Sequence, residues 1–274
     1  MDTPRDDHHY IRIQRITVTL RSTSLLLLAA LTLSGCKQTP STLPTTASAP
    51  KPIAAPAVDA STTGSITGVV HFNGKPPERI AIDMFADPAC ARSPQPNFTE
   101  QVVVTDHKLA NVFVYIKSGA PSSTAPANTP PVVLDQKGCR YIPHVIALQQ
   151  GGSVEFRNSD ATVHNIHTLP TQPDNQSADL TEPAHSHPHA EPFNAPELML
   201  PVRCNYHPWM NAFINVASNP YFAVTAADGT FTLPNLPPGT YTLAAVHETL
   251  GEQDIQITIA PKSIAQASFT FAAK

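Results

Sequence analysis

Cys204-Asn205-Tyr206-His207-Pro208-Trp209-Met210 sets a thiol, an imidazole and a thioether within one short stretch. With one more imidazole from elsewhere, these are the donors of a trigonal His₂Cys copper site with a long, weak axial Met. A second imidazole lies upstream, where Phe156-Arg157-Asn158-Ser159-Asp160 precedes Val163-His164-Asn165-Ile166-His167. If 163–168 is a strand, His164 and His167 point to opposite faces, so only one of them reaches a shared ion. Pro208 fixes its own φ and stiffens the turn that carries His207. A buried Cys and Met beside a surface His is the alternative without a metal.

The two pieces together resemble the cupredoxins, with one His in an early strand–loop and Cys, His and Met near the last strand. Within that family they are similar to the amicyanins, whose ligand loop also reads Cys-x-x-His-Pro-aromatic-Met and whose first ligand sits in a His-Asn-x-His string. The resemblance covers roughly residues 130–217. It implies one mononuclear blue-copper centre of His164, Cys204, His207 and Met210. It also implies that Asn165 braces the ligand loop by hydrogen bonding, with His167 packed or at the surface. Trp209 is then either core packing or an apolar surface over the His207 edge, where a redox partner docks.

The front end reads as a targeting segment. Arg5, Arg12, Arg15 and Arg21 precede an apolar run from Ser24 to Leu33, which is too short to span a bilayer. It ends in Leu33-Ser34-Gly35-Cys36, which looks like a bacterial lipobox with Cys36 as the lipidated residue; an ordinary secretory signal with a chance Cys is the alternative. Residues 1–36 are therefore expected to be removed or lipidated, and the Ser/Thr/Pro/Ala stretch 37–63 to be a disordered tether. With Cys36 on lipid and Cys204 on metal, Cys90 and Cys139 remain. They form a disulfide in an oxidising compartment, or stand as two buried thiols; the disulfide is the expectation.

Charged residues make up only 14% of the chain, with 29 Pro against 11 Gly. That suits short strands joined by Pro-containing loops. The net charge of −4 gives no case for nucleic acid. Ser65 to Phe72, Ile80 to Met84, Gln101 to Thr105 and Ala110 to Lys117 read as strands, and 119–131 as a Ser/Pro/Ala linker. Val132–Leu134, Val145–Leu148, Ser153–Phe156, Leu198–Arg203 and Phe213–Val216 follow. Residues 169–197 read as a polar insertion whose His185, His187 and His189 form a solvated loop or a second, weaker copper or zinc site. His144 reads as structural.

From Tyr221 on, Asp-Gly-x-Phe-x-Leu-x-x-Leu-Pro-Pro-Gly-x-Tyr resembles the carboxypeptidase regulatory-like domain, a transthyretin-like sandwich, with Asp228-Gly229 as a hairpin turn. Gly64 to Phe72 resembles the first strand of the same family. The expected fold is all-β: a discontinuous transthyretin-like β-sandwich from 64–118 and 219–272, carrying a cupredoxin Greek-key sandwich at 130–217. Three modules in series is the rival arrangement. The resemblances imply a copper electron-transfer protein, not an enzyme, anchored outside the cytoplasm. Its partner would be a redox protein, such as a periplasmic dehydrogenase for methylamine. The alternatives are a carbohydrate- or partner-binding module with a structural copper, and a copper chaperone.

Overall fold

The structure, a computed structural model, describes residues 59–92 and 96–273. The expected targeting segment, Cys36 and most of the stretch 37–63 lie outside the described residues. The chain is all-β. Among the described residues the one helical element is the 3-10 turn Cys90–Arg92.

The first four strands are β1 (Gly64–Asn73), β2 (Val104–Thr105), β3 (Lys108–Leu109) and β4 (Phe113–Ser118). Nine more follow: β5 (Val132–Gln136), β6 (Tyr141–Ile142), β7 (Val145–Gln149), β8 (Gly152–Asn158), β9 (His164–Thr168), β10 (Asp179–Glu182), β11 (His189–Phe193), β12 (Glu197–Arg203) and β13 (Asn211–Ala217). The last five are β14 (Phe222–Val224), β15 (Thr230–Leu236), β16 (Gly239–His247), β17 (Gly251–Ile259) and β18 (Ile264–Ala272).

The ends of the chain build one sandwich. β1 runs parallel to β18 along Ser65–Asn73 and antiparallel to β15. The facing sheet has the order β14-β4-β16-β17. Alternating Phe231 and Leu233 of β15 and Ala267, Phe269 and Phe271 of β18 fill the core between them, as a period-2 strand with one buried face requires. β1 packs so closely that a Cβ on Gly68 would lie 2.2 Å from the Ala267 carbonyl oxygen, so only glycine fits there.

β5 to β13 form a second sandwich, with sheets ordered β10-β9-β12-β13-β7 and β11-β8-β5-β6. Its entering and leaving segments are tied to each other. Ser123 N donates to Ser218 O at 2.8 Å, and Ile116 N to Tyr221 O at 3.0 Å. The two sandwiches share an apolar seam of Phe113, Phe222 and Val246 from one, and Ala147, Ala217 and Met199 from the other. β4 is therefore covered on both faces, which explains its nearly unbroken buried run Phe113-Val114-Tyr115-Ile116. His144 and Glu248 close the seam with an Nε2–Oε1 pair at 2.8 Å.

Four expectations are corrected. Residues 80–84 make only the isolated bridge Ala81–Phe98, because this Pro-flanked segment lies over the second sandwich rather than in a sheet. Of 101–105 only Val104–Thr105 is strand. The polar insertion 169–197 supplies β10 and β11, edge strands of both inner sheets, whose open sides account for their polar sequence. Asp228-Gly229 makes a tight turn, with Gly229 at φ +70°, but β14 and β15 belong to different sheets, so it is no hairpin.

His247, only 2% exposed, sits at the end of β16 with Nδ1 accepting from Thr249 N at 3.2 Å. Burial first, and then the charge of His144, pushes its pKa from 6.5 down to about 4. The unfolded chain therefore takes up a proton before the folded one does. Stability is fully present above the unfolded pKa and is lost as pH falls from about 6.5 to about 4, by on the order of 3 kcal/mol. Denaturant midpoints should drop across that window in the wild type and flatten in His247→Leu. An equal drop in the variant would assign the effect elsewhere.

Candidate metal centre

β12 and β13 pair with Arg203 opposite Asn211, so residues 204–210 form the loop that joins them. Met210 N donates to His207 O at 2.9 Å and Cys204 N to Met210 O at 3.4 Å, which folds the loop onto itself. Cys204, His207 and Met210 are all buried within it, while Tyr206 is 50% exposed. His164 opens β9, which pairs with β12 through Arg203 and His167, and so lies beside the start of the ligand loop.

The Nδ1 atoms of His164 and His207 face each other at 2.9 Å. Cys204 Sγ lies 3.7 Å from His207 Nδ1, and the three ligand atoms all fall within 4.8 Å of one another. Each ring is held from behind by a carboxylate. Asp160 Oδ2 takes His164 Nε2 at 2.9 Å, and Asp87 Oδ2 takes His207 Nε2 at 3.0 Å. With Nε2 so engaged, the inward Nδ1 is the free coordinating nitrogen on both rings.

Burial alone would raise the Cys204 thiol pKa. Hydrogen bonds from His164 and from the backbone of His207, Tyr206 and Asn165 bring it down to about 7. Burial alone would lower that of His164, but the Asp160 carboxylate and Cys204 hold it up to about 9. Burial opposes ionisation of Asp87 too, yet the bonds from His207, Ala89, Thr162 and Cys90 keep its pKa at about 2. Thiol and imidazole donors shed their protons to bind a cation, so cation binding at these residues would depend on pH. Around one four-coordinate ion, two imidazole nitrogens stand roughly 3.3 Å apart and a thiolate about 3.5 Å from each. The observed Sγ–Nδ1 distance of 3.7 Å to His207 is close to that arrangement, and the Nδ1–Nδ1 distance of 2.9 Å is somewhat shorter than it.

Comparison with known proteins gives partial matches. The family model of the beta-sandwich domain of ER membrane protein complex subunit 7 matches residues 205–273, from the ligand loop to the last strand. No curated protein matches the chain. Among solved structures, it is similar to a Cu-containing nitrite reductase from Thermus scotoductus SA-01, at 23% identity over 36% of this chain and 26% of that one, with a TM-score of 0.31. It is similar to a Cu(I) methionine-to-alanine variant of amicyanin at 21% identity, over 38% of this chain and 98% of that one, TM-score 0.28. It is also similar to the purple cupredoxin of Nitrosopumilus maritimus at 18% identity, over 31% and 99% of the two chains, TM-score 0.26.

The other residues singled out from the sequence fall as follows. Asn165 Oδ1 accepts from Asn205 N at 3.2 Å, while its Nδ2 donates to Asp179 Oδ1 and Leu180 O. His167 is outside the cluster, with Nδ1 donating to Asn205 Oδ1 at 3.1 Å. His144 faces Glu248. Pro208 is exposed. His185, His187 and His189 are exposed and enter none of the metal-sized groups among the described residues; His189 pairs with Glu191 instead. Cys90 and Cys139 are joined by a disulfide.

The His207 edge is not the open surface expected beneath Trp209. His207 is 4% exposed, with Asp87 at Nε2 and the Cys90 sulfur 3.8 Å from the same atom. The Trp209 ring lies 5.1 Å from His207 and its Nε1 donates to Cys139 O, so it packs into the wall. Asp160 and Asp87 are the residues the sequence did not single out as ring partners. Asp160 stands four residues before His164, a spacing that offers a signal. Asp87 stands 120 residues before His207 and offers none.

Asn165→Ala removes the acceptor of Asn205 N at a half-buried corner. The variant should lose about 0.5–1.5 kcal/mol of unfolding free energy and roughly tenfold to hundredfold in metal affinity. His167→Ala, on the outer side of the same strand, should stay within about 0.5 kcal/mol. Denaturant titrations and competitive metal binding check both.

Proposed function

We propose that this chain is a mononuclear copper electron-transfer protein held outside the cytoplasm by lipid on Cys36. The observation that supports it is the convergence of one thiolate and two inward-facing Nδ1 atoms in a buried site whose loop also carries Met210. Soft sulfur and imidazole donors suit both oxidation states of copper, and a metal bound there supplies one-electron chemistry. The chain's own residues hold the geometry. The carboxylates fix both rings, Asn165 fixes the loop backbone, and Pro208 stiffens the turn. Four protein donors around one ion leave no position for substrate, which favours a carrier over an enzyme.

With His207 covered, Tyr206 is the large apolar-bodied side chain that the loop exposes, two residues from Cys204 and with its OH 3.1 Å from Thr181 Oγ1. On this reading a redox partner docks on that side. The Leu33-Ser34-Gly35-Cys36 string supports the anchor. Cys36→Ser should move the protein from the membrane fraction to the soluble fraction, or leave it uncleaved; normal processing with unchanged membrane association would argue against the anchor.

Copper-loaded wild type should show intense visible thiolate charge-transfer absorption and a reversible one-electron couple. Cys204→Ala should abolish the colour. Met210→Leu should keep it and raise the potential, since a weak donor that favours Cu(II) is lost. His164→Ala should distort or lose the spectrum while His167→Ala leaves it intact. A colourless copper-loaded wild type would refute the electron-transfer reading.

A further inference from the structure

The segment between β1 and β2 leaves the first sandwich and lies over the ligand end of the second. Met84 enters the inner core at 6% exposure, Asn97 Nδ2 donates to Gly138 O at 2.9 Å, and Arg140 pairs with Glu100 at 3.2 Å. Asp87 and Cys90 of this cap both reach His207. Asp87 Oδ2 takes His207 Nε2 at 3.0 Å and Thr162 Oγ1 at 2.9 Å, and its Oδ1 accepts from Ala89 N and Cys90 N. Cys90 is bonded to Cys139, whose own N–H donates to Asp160 Oδ2 at 2.8 Å. One disulfide therefore stands between the two carboxylates that hold the two rings. Asp87 and Cys90 group with His207, and Cys139 and Asp160 with His164.

We propose that Asp87 is a positioning residue of the copper centre, presented to His207 by a cap that the Cys90–Cys139 disulfide holds in place. The inference rests on the copper reading of the site and adds a residue outside the ligand set. A carboxylate on Nε2–H fixes the tautomer and leaves the Nδ1 lone pair inward. Its negative charge, close to a buried cation, favours the more highly charged oxidised ion and lowers the reduction potential. The donors on Asp87 come from the cap itself and from Thr162 of the inner sandwich, so the carboxylate cannot swing away while the disulfide stands.

Asp87→Asn keeps shape and removes charge. In the copper-loaded full chain it should shift the Cu(I)/Cu(II) equilibrium at least tenfold toward Cu(I), 59 mV for one electron, with the visible band retained. In the metal-free chain, ring nitrogen–proton spectra should show His207 protonated at Nε2 in wild type and mixed in the variant. Cys90→Ser with Cys139→Ser should shift the equilibrium the same way. Adding Asp87→Asn to that pair should give less than the sum of the separate shifts, because both act on one placement. A coloured Asp87→Asn protein with wild-type potential and tautomer, or fully additive shifts, overturns the proposal. A colourless wild type overturns the copper reading itself, and the metal-free spectra distinguish the two failures.

Discussion

Two imidazole Nδ1 atoms 2.9 Å apart in a buried site are the constraint on which the ligand end depends. A neutral imidazole has one donor and one acceptor nitrogen. Carboxylates at both Nε2 positions draw the protons outward, so both acceptors turn inward beside a thiol whose pKa is already brought down to about 7. The Asp160 carboxylate and the Cys204 sulfur hold the His164 pKa up at about 9 against the cost of burial. The fold thus orients both rings and buries the thiol in one cluster. That is the sense in which the rings and their partners form one unit.

Such an arrangement needs support from outside the strands that carry the ligands. Asp160 reaches His164 from the β8–β9 connection, and its other contacts are the backbone N–H groups of Gly138 and Cys139. Asp87 comes from the other sandwich. It arrives because β1 and β4 share sheets with β18 and β16 while the inner sandwich is strung between β4 and β14. The apolar seam at Phe113, Val246 and Ala217 and the His144–Glu248 pair fix one sandwich against the other. The segment that carries Asp87 is itself tied to the second sandwich through Met84, Asn97 and the disulfide, and so sets the carboxylate at hydrogen-bonding distance of the His207 ring.

The sequence made the all-β class legible, because period-2 runs such as Phe231-Thr232-Leu233 and Ala267-Ser268-Phe269-Thr270-Phe271 bury one face. It made the cluster of candidate donors legible as well, since His164, Cys204 and His207 do come together. Cys204, His207 and Met210 are close in the chain, and the opposite faces of His164 and His167 follow from the pleat. What stayed hidden was tertiary. β10 and β11 carry the polar sequence of a loop because edge strands keep one side in water. The covering of His207 depends on a contact across 120 residues, made by an Asp with nothing local to mark it. The Cys90–Cys139 arithmetic pointed to a link between the cap and the inner sandwich, yet not to what the link places there.

The cap shows why a disulfide belongs at this spot. Among the described residues between β1 and β2 the chain makes a single bridge and one 3-10 turn, which gives it little backbone ladder of its own to resist fraying. Few apolar residues compensate: Met84 is buried, but Ile80 is 69% and Phe85 85% exposed. Hydrogen bonds to one carboxylate would not by themselves hold such a segment against its conformational entropy. A covalent link three residues from Asp87 does, since it confines the loop in the unfolded chain as well as the folded one. Because the same link begins at the residue whose N–H steadies Asp160, the ordering of the cap and the orientation of both rings become a single structural event rather than three.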